Sequence, residues 1–70
     1  MARQPCELMK AARERQGKTQ EQVAAELGVT QPLIAKWESG RGLPMTEDVR
    51  RVAKVYGLRP EQLLPEVKAS

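Results

Sequence analysis

Two helix-forming stretches, TQEQVAAEL and QPLIAKWE, are separated by nothing longer than the interval from Gly28 to Thr30. A connection this short constrains the fold more than any other feature of the chain. Helices joined by it must cross steeply, so their backbones approach closely and bulky side chains at the crossing would clash. Ala24 lies where the following helix should pass, and Gly28 can supply the backbone geometry of the turn. Val23, Leu27, Val29, Ile34 and Trp37 fall at spacings that can fill the angle between the two helices. Thr19 and Gln22 match the capping-box pattern at the start of the first stretch, and Thr30 is the expected cap of the second.

The rest of the chain supplies helices to pack against this pair. PCELMKAARERQG predicts a first helix with Met9 and Ala12 on its buried face, Gly17 as its stop, and Lys10, Glu14 and Arg15 pointing away. After the break RGLP, acidic Glu47 and Asp48 behind Thr46 suit the N-terminal dipole of a fourth helix, whose Val49, Val52, Ala53 and Tyr56 face the core. Gly57 stops it. Pro60 pre-sets a short fifth turn carrying Leu63 and Leu64, and Pro65 ends that turn ahead of a frayed tail. No segment alternates with period two. The expectation is an all-α, compact five-helix bundle in one domain spanning residues 1–70, with a core about 6–64 and a tail over 65–70.

Composition narrows the function classes. A chain of 70 residues has room for one small core. It carries no histidine and a single cysteine, Cys6, and shows no phosphate-binding glycine loop, so neither an enzyme nor a metal or cofactor site is expected. A reducing cytoplasm suits the lone thiol. No apolar run near Met1 resembles a signal segment, and none approaches the length of about 20 residues that a membrane span needs. A formal charge of +3 favours an anionic partner such as nucleic acid, with ordinary solvated surface charge as the alternative; no membrane partner is expected.

The pair of helices meets the requirements of a helix-turn-helix. From Met9 to Leu64 the chain resembles the Cro/C1-type helix-turn-helix domains of phage repressors and related bacterial regulators, the XRE family, a fold of the lambda-repressor-like type. TQEQVAAELGVTQPLIAKWESGR carries the likeness, with GLP and VAKVYGLRPEQLL in support. The resemblance implies that the third helix enters the major groove of double-stranded DNA. Gln31, Pro32, Ala35 and Lys36 are the base contacts it implies: glutamine can pair with adenine N6 and N7, and lysine can reach guanine O6 and N7 or a phosphate. Lys18, Thr19, Gln20, Ser39 and Arg41 are the expected phosphate contacts, and Arg13 and Glu38 an expected structural pair between the first and third helices. Where the family has an aliphatic residue this chain has Arg50. Met45 and Arg59 stand where small capping residues are usual.

The expected function is sequence-specific transcriptional regulation, with repression favoured, by a homodimer on a palindromic operator. Leu58, Leu63, Leu64 and Val67 are the candidates for the interface, because the C-terminal part is leucine-rich; the alternative place for them is the core, favoured for Leu58 and Leu63. The competing reading is an antitoxin or antirepressor-type module that uses the same fold chiefly to bind another protein.

Overall fold

Capping chemistry sets where the first elements begin and end. The computed structural model describes residues 4–63. Helix α1 runs Pro5–Arg15, with Pro5 in a first turn where its missing N–H costs nothing. Helix α2, Gln20–Leu27, opens with a complete capping box: Gln22 N donates to Thr19 Oγ1 at 3.0 Å, and Thr19 N to Gln22 Oε1 at 2.8 Å. At its other end Gly28 sits at φ 72°, a left-handed conformation that a side chain would strain. Val29 N then donates to Ala24 O at 2.9 Å, closing α2 and turning the chain directly into α3, Gln31–Glu38.

Three starts differ from the expectation. Thr30 occupies the N-cap position of α3 but makes no side-chain cap bond. Its carbonyl holds the turn instead, accepting from Leu33 N at 3.1 Å. Thr46–Asp48 forms a 3-10 turn, and α4 proper runs Val49–Tyr56. Met45 at the preceding cap position has no side-chain oxygen to receive an amide, so the tighter 3-10 pattern takes over. The fifth helix is a 3-10 turn, Pro60–Leu63. Gln62 Oε1 accepts from Arg59 N at 2.8 Å, which is half of a capping box, and Arg59 cannot supply the other half.

The described residues are therefore all-helical, with four α-helices and two 3-10 turns around one core. Met9, Ala12, Val23, Ala24, Leu27, Ile34, Trp37, Val49, Val52, Ala53, Tyr56 and Leu63 form it. Helix α3 packs on both α1 and α2, and α4 closes the bundle against α2. Two long side chains fasten these elements at their ends. Arg51 Nη1 donates to Leu27 O at 2.7 Å, satisfying a terminal carbonyl of α2 from α4. Gln16 Nε2 donates to Tyr56 O at 2.8 Å, tying the end of α1 to the end of α4.

Leu63 corrects one expectation. It was among the candidates for a dimer interface, yet it is 0% exposed and packed in the core. Burying a leucine contributes roughly 1.5–3 kcal/mol, so the fold holds it inside. Leu58 is half-buried against the same core. Leu64, Val67, the stop at Pro65 and the tail lie outside the described residues. Among the described residues no helix is long and apolar enough to cross a membrane.

Candidate nucleic-acid interface

Ile34 and Trp37 fix which way α3 faces, because both are buried and pull one side of the helix into the bundle. The opposite side carries Gln31, Pro32, Ala35, Lys36 and Ser39, and with Arg41 these residues line a single open concavity. The face expected from the sequence is thus one continuous surface. Short side chains at Ala35 and Ser39 keep the helix backbone close to whatever occupies it. Helix α3 has one acidic residue, Glu38, and it is turned inward at 8% exposure. No carboxylate of α3 opposes an anion at this surface.

Glu38 is the centre of a buried polar cluster. Its Oε2 accepts from Arg13 Nε at 2.9 Å and from Tyr56 Oη at 2.8 Å. Its Oε1 accepts from Arg13 Nη2 at 3.0 Å and from Gln20 Nε2 at 3.2 Å. Arg13 Nη1 reaches on to Lys18 O at 2.8 Å, so one guanidinium locks α1 to α3 and to the loop before α2. The expected pair of Arg13 and Glu38 therefore forms, within a larger network. Burial alone would push the Glu38 carboxyl up, but hydrogen bonds from Arg13, Tyr56 and Gln20 and the arginine charge outweigh it and hold the carboxyl below the usual range. The hydrogen bond to Glu38 raises Arg13. Burial, and then the bond to Glu38, keep the Tyr56 phenol protonated far above its ordinary value.

The cluster continues outward to the surface. Gln31 Nε2 donates to Gln20 Oε1 at 2.6 Å, while Gln20 Nε2 donates to Glu38. An ionised carboxylate only accepts, so Gln20 must turn its NH2 toward Glu38 and its carbonyl toward Gln31. Gln31 must then turn its own NH2 toward Gln20. Its carbonyl and its second N–H are left for the concavity.

The residues expected at phosphates have these partners within the chain. The amide of Gln20, expected near a phosphate, links Gln31 to Glu38. The Lys18 ammonium, also assigned to a phosphate, pairs with Glu26 at 2.9 Å along α2. Ser39 lies in the concavity, yet its hydroxyl donates inward to Lys36 O at 3.0 Å. Thr19 uses its hydroxyl oxygen as the α2 cap and keeps its proton to donate. Arg41 is exposed on the loop that follows α3, where its backbone N–H donates to Lys36 O at 3.1 Å. Lys36 is exposed, with its stem lying over Gly42: a methyl group there would stand 3.1 Å from Lys36 Cε.

Tyr56 is the member of the site that patterning assigned to the core alone. Its body is in the core, and its hydroxyl completes the Glu38 shell. A buried tyrosine needs a partner for its hydroxyl, which was the available signal.

Comparison with known proteins identifies the family. The sequence model of a family described as helix-turn-helix matches residues 9–63. Over 46 residues the chain is 41% identical to the HTH-type transcriptional activator BcrR of Enterococcus faecalis. That match covers 66% of this chain and 22% of the relative, so the chain spans about a fifth of the length of the curated protein it matches.

Proposed function

Because the chain belongs to the Cro/C1-type helix-turn-helix family, we propose that it is a DNA-binding transcriptional regulator whose α3 lies in the major groove and reads base edges. The observation that carries this reading is the concavity lined by Gln31, Pro32, Ala35, Lys36, Ser39 and Arg41, with the Gln31 amide already oriented by Gln20. Adenine offers an N6 donor beside an N7 acceptor, and Gln31 has a carbonyl and an N–H free to meet them. Lys36 pairs with guanine O6 and N7, while Pro32 and Ala35 make close apolar contact with the base edges. Arg41 and the hydroxyl of Thr19 contact phosphates on either side.

Two copies act together in this proposal, since one chain provides one reading helix. A two-fold axis places the two α3 helices about one turn of DNA apart, roughly 34–36 Å, and calls for an imperfectly palindromic operator. Leu64 and Val67 are assigned to the interface, with the exposed edge of Leu58. Occupying an operator excludes other proteins from it, and repression needs nothing more than that. The relative named as an activator shares only the matched segment, so its sign of regulation does not carry over.

Selection of bound sites from random DNA, followed by gel shifts with the protein alone across a salt series, tests the proposal. The expected result is an enriched adenine-containing half-site, bound with an affinity that falls steeply with salt. Insertion of about half a turn between half-sites should abolish cooperative binding. Little affinity for any DNA would overturn the reading and favour a module whose partner is another protein.

A further inference from the structure

The base contact proposed for Gln31 depends on which way its amide faces, and nothing at the surface fixes that. A glutamine amide turned over presents the reverse pattern of donor and acceptor in nearly the same shape. In one orientation its carbonyl meets the adenine N6 donor; in the other its NH2 meets guanine O6. A freely rotating glutamine would tolerate both purines. Here the orientation is transmitted from the core through Gln20, over bonds of 3.2 Å from Gln20 Nε2 to Glu38 Oε1 and 2.6 Å from Gln31 Nε2 to Gln20 Oε1.

We propose that Glu38, a buried carboxylate that never touches DNA, is a specificity-determining positioning residue: its acceptor-only character sets the direction of the Gln20 and Gln31 amides and so makes Gln31 select adenine over guanine. The inference rests on the DNA-reading function proposed above and deepens it. Three features of the cluster support it. Glu38 is almost fully withdrawn from solvent, with its side chain at 2% exposure. Arg13 and Tyr56 donate to both of its oxygens, which keeps it ionised and fixes its plane. Gln20 has one amide, and of the two groups it faces the Glu38 carboxylate only accepts, so it admits one orientation, which the Gln31 amide then follows. The direction is therefore imposed by chemistry at the inner end, 18 residues along the chain from Gln20.

Replacing the carboxylate by an amide removes the direction while nearly preserving the shape. In Glu38→Gln, made in every Glu38→Gln variant of this test together with Arg13→Met because Arg13 Nη2 donates to the same Oε1 that Gln20 bonds, the new side chain can present either its carbonyl or its NH2 to Gln20, and both orientations of the two outer amides become satisfied. The measurement is the ratio of affinities for two operators that differ only by adenine or guanine at the base facing Gln31. The wild-type ratio should fall within the range of a bidentate contact, roughly five- to hundredfold in favour of adenine. In Glu38→Gln it should collapse to within about threefold, with affinity for random DNA little changed.

A second variant separates direction from structural support. Adding Gln20→Glu to Glu38→Gln moves the carboxylate one step outward, where it accepts from the new amide at position 38 and from Gln31 Nε2. Gln31 is again forced to turn its NH2 inward, so the adenine preference should return although the core carboxylate is still missing. A purely structural role for Glu38 would not be rescued by this swap. Tyr56→Phe is the control: it removes one donor but leaves the carboxylate, and should keep the ratio while lowering thermal stability.

If Glu38→Gln does not fold, the wild type still decides the matter. Couplings across hydrogen bonds in NMR spectra should run from Gln31 Nε2 to the Gln20 carbonyl carbon and from Gln20 Nε2 to the Glu38 carboxyl carbon. Couplings in the opposite sense would overturn the proposal. A folded Glu38→Gln that keeps the full adenine preference would overturn it as well. Failure of the DNA-reading function itself looks different: Gln31→Ala would then leave the ratio unchanged.

Discussion

At its start, α3 presents Gln31 through an amide already bonded to Gln20 and, through it, to a carboxylate in the core. Past its end, Arg41 presents a guanidinium on an exposed loop anchored through its backbone N–H to Lys36 O. The first arrangement loses little conformational freedom when a ligand arrives, and its geometry is demanding. The second is tolerant of geometry and supplies charge. In the proposed function a protein that must find DNA and then discriminate among sites needs both, and the proposal divides that work between the two ends of one short surface.

The largest way to break the comparison is to remove its inner anchor. Glu38→Ala leaves Arg13, Tyr56 and Gln20 without their acceptor, and truncating one side of such a buried pair costs about 3–5 kcal/mol. Thermal melting of Glu38→Ala, Arg13→Ala and the double variant should show strong coupling, with the double variant losing less than the sum of the two single losses. Additive losses would separate the two residues energetically.

Acid probes the same anchor without a mutation. The folded-state value of Glu38 is lowered, so its contribution to stability is fully present above the ordinary glutamate range and is lost as pH falls through the lowered value. Melting temperatures should drop over that acidic window. Glu38→Gln should flatten this part of the profile; an unchanged profile would mean that other carboxylates cause the acid loss.

A smaller effect is expected at the middle of the relay. Gln20→Ala leaves Gln31 present but without a fixed direction, so it should cost affinity for the preferred site by up to the 1–3 kcal/mol of a bidentate contact and leave random DNA nearly unaffected. A phosphate-binding Gln20 would instead weaken both alike. The smallest change in specificity belongs to the loop end. Arg41→Ala should weaken binding about equally on all sequences and reduce the slope of log affinity against log salt by about one. A loss confined to the preferred site would assign Arg41 to a base.

The sequence and the structure agree where a single physical rule decides the outcome. Gly28 with Thr19 and Gln22 specifies the ends of α2, and the apolar spacing of Val23, Leu27, Ile34 and Trp37 specifies which faces meet, so the helix pair and its open surface were legible in advance. Helix starts that lack a capping oxygen were not, and Met45 and Arg59 yield 3-10 turns in place of regular helix. The Gln20 role was hidden for another reason. A glutamine in the first turn of a helix looks the same whether it faces a phosphate or a neighbouring amide, and its partners Gln31 and Glu38 are 11 and 18 residues away. The Lys18 ion pair was hidden similarly, because only the packed structure brings Glu26 within 2.9 Å.

The central claim is that Gln31, held by Gln20, reads adenine directly. Replacing N7 of the adenine facing α3 by a carbon, as in 7-deazaadenine, deletes one acceptor and leaves the base pair intact. Equilibrium binding should be measured for wild type and Gln31→Ala on the natural and the substituted operator. The wild type should lose affinity by roughly five- to tenfold on the substituted DNA, while Gln31→Ala, already without its donor, should bind the two operators equally. Equal losses for both proteins, or no loss for the wild type, would contradict the account.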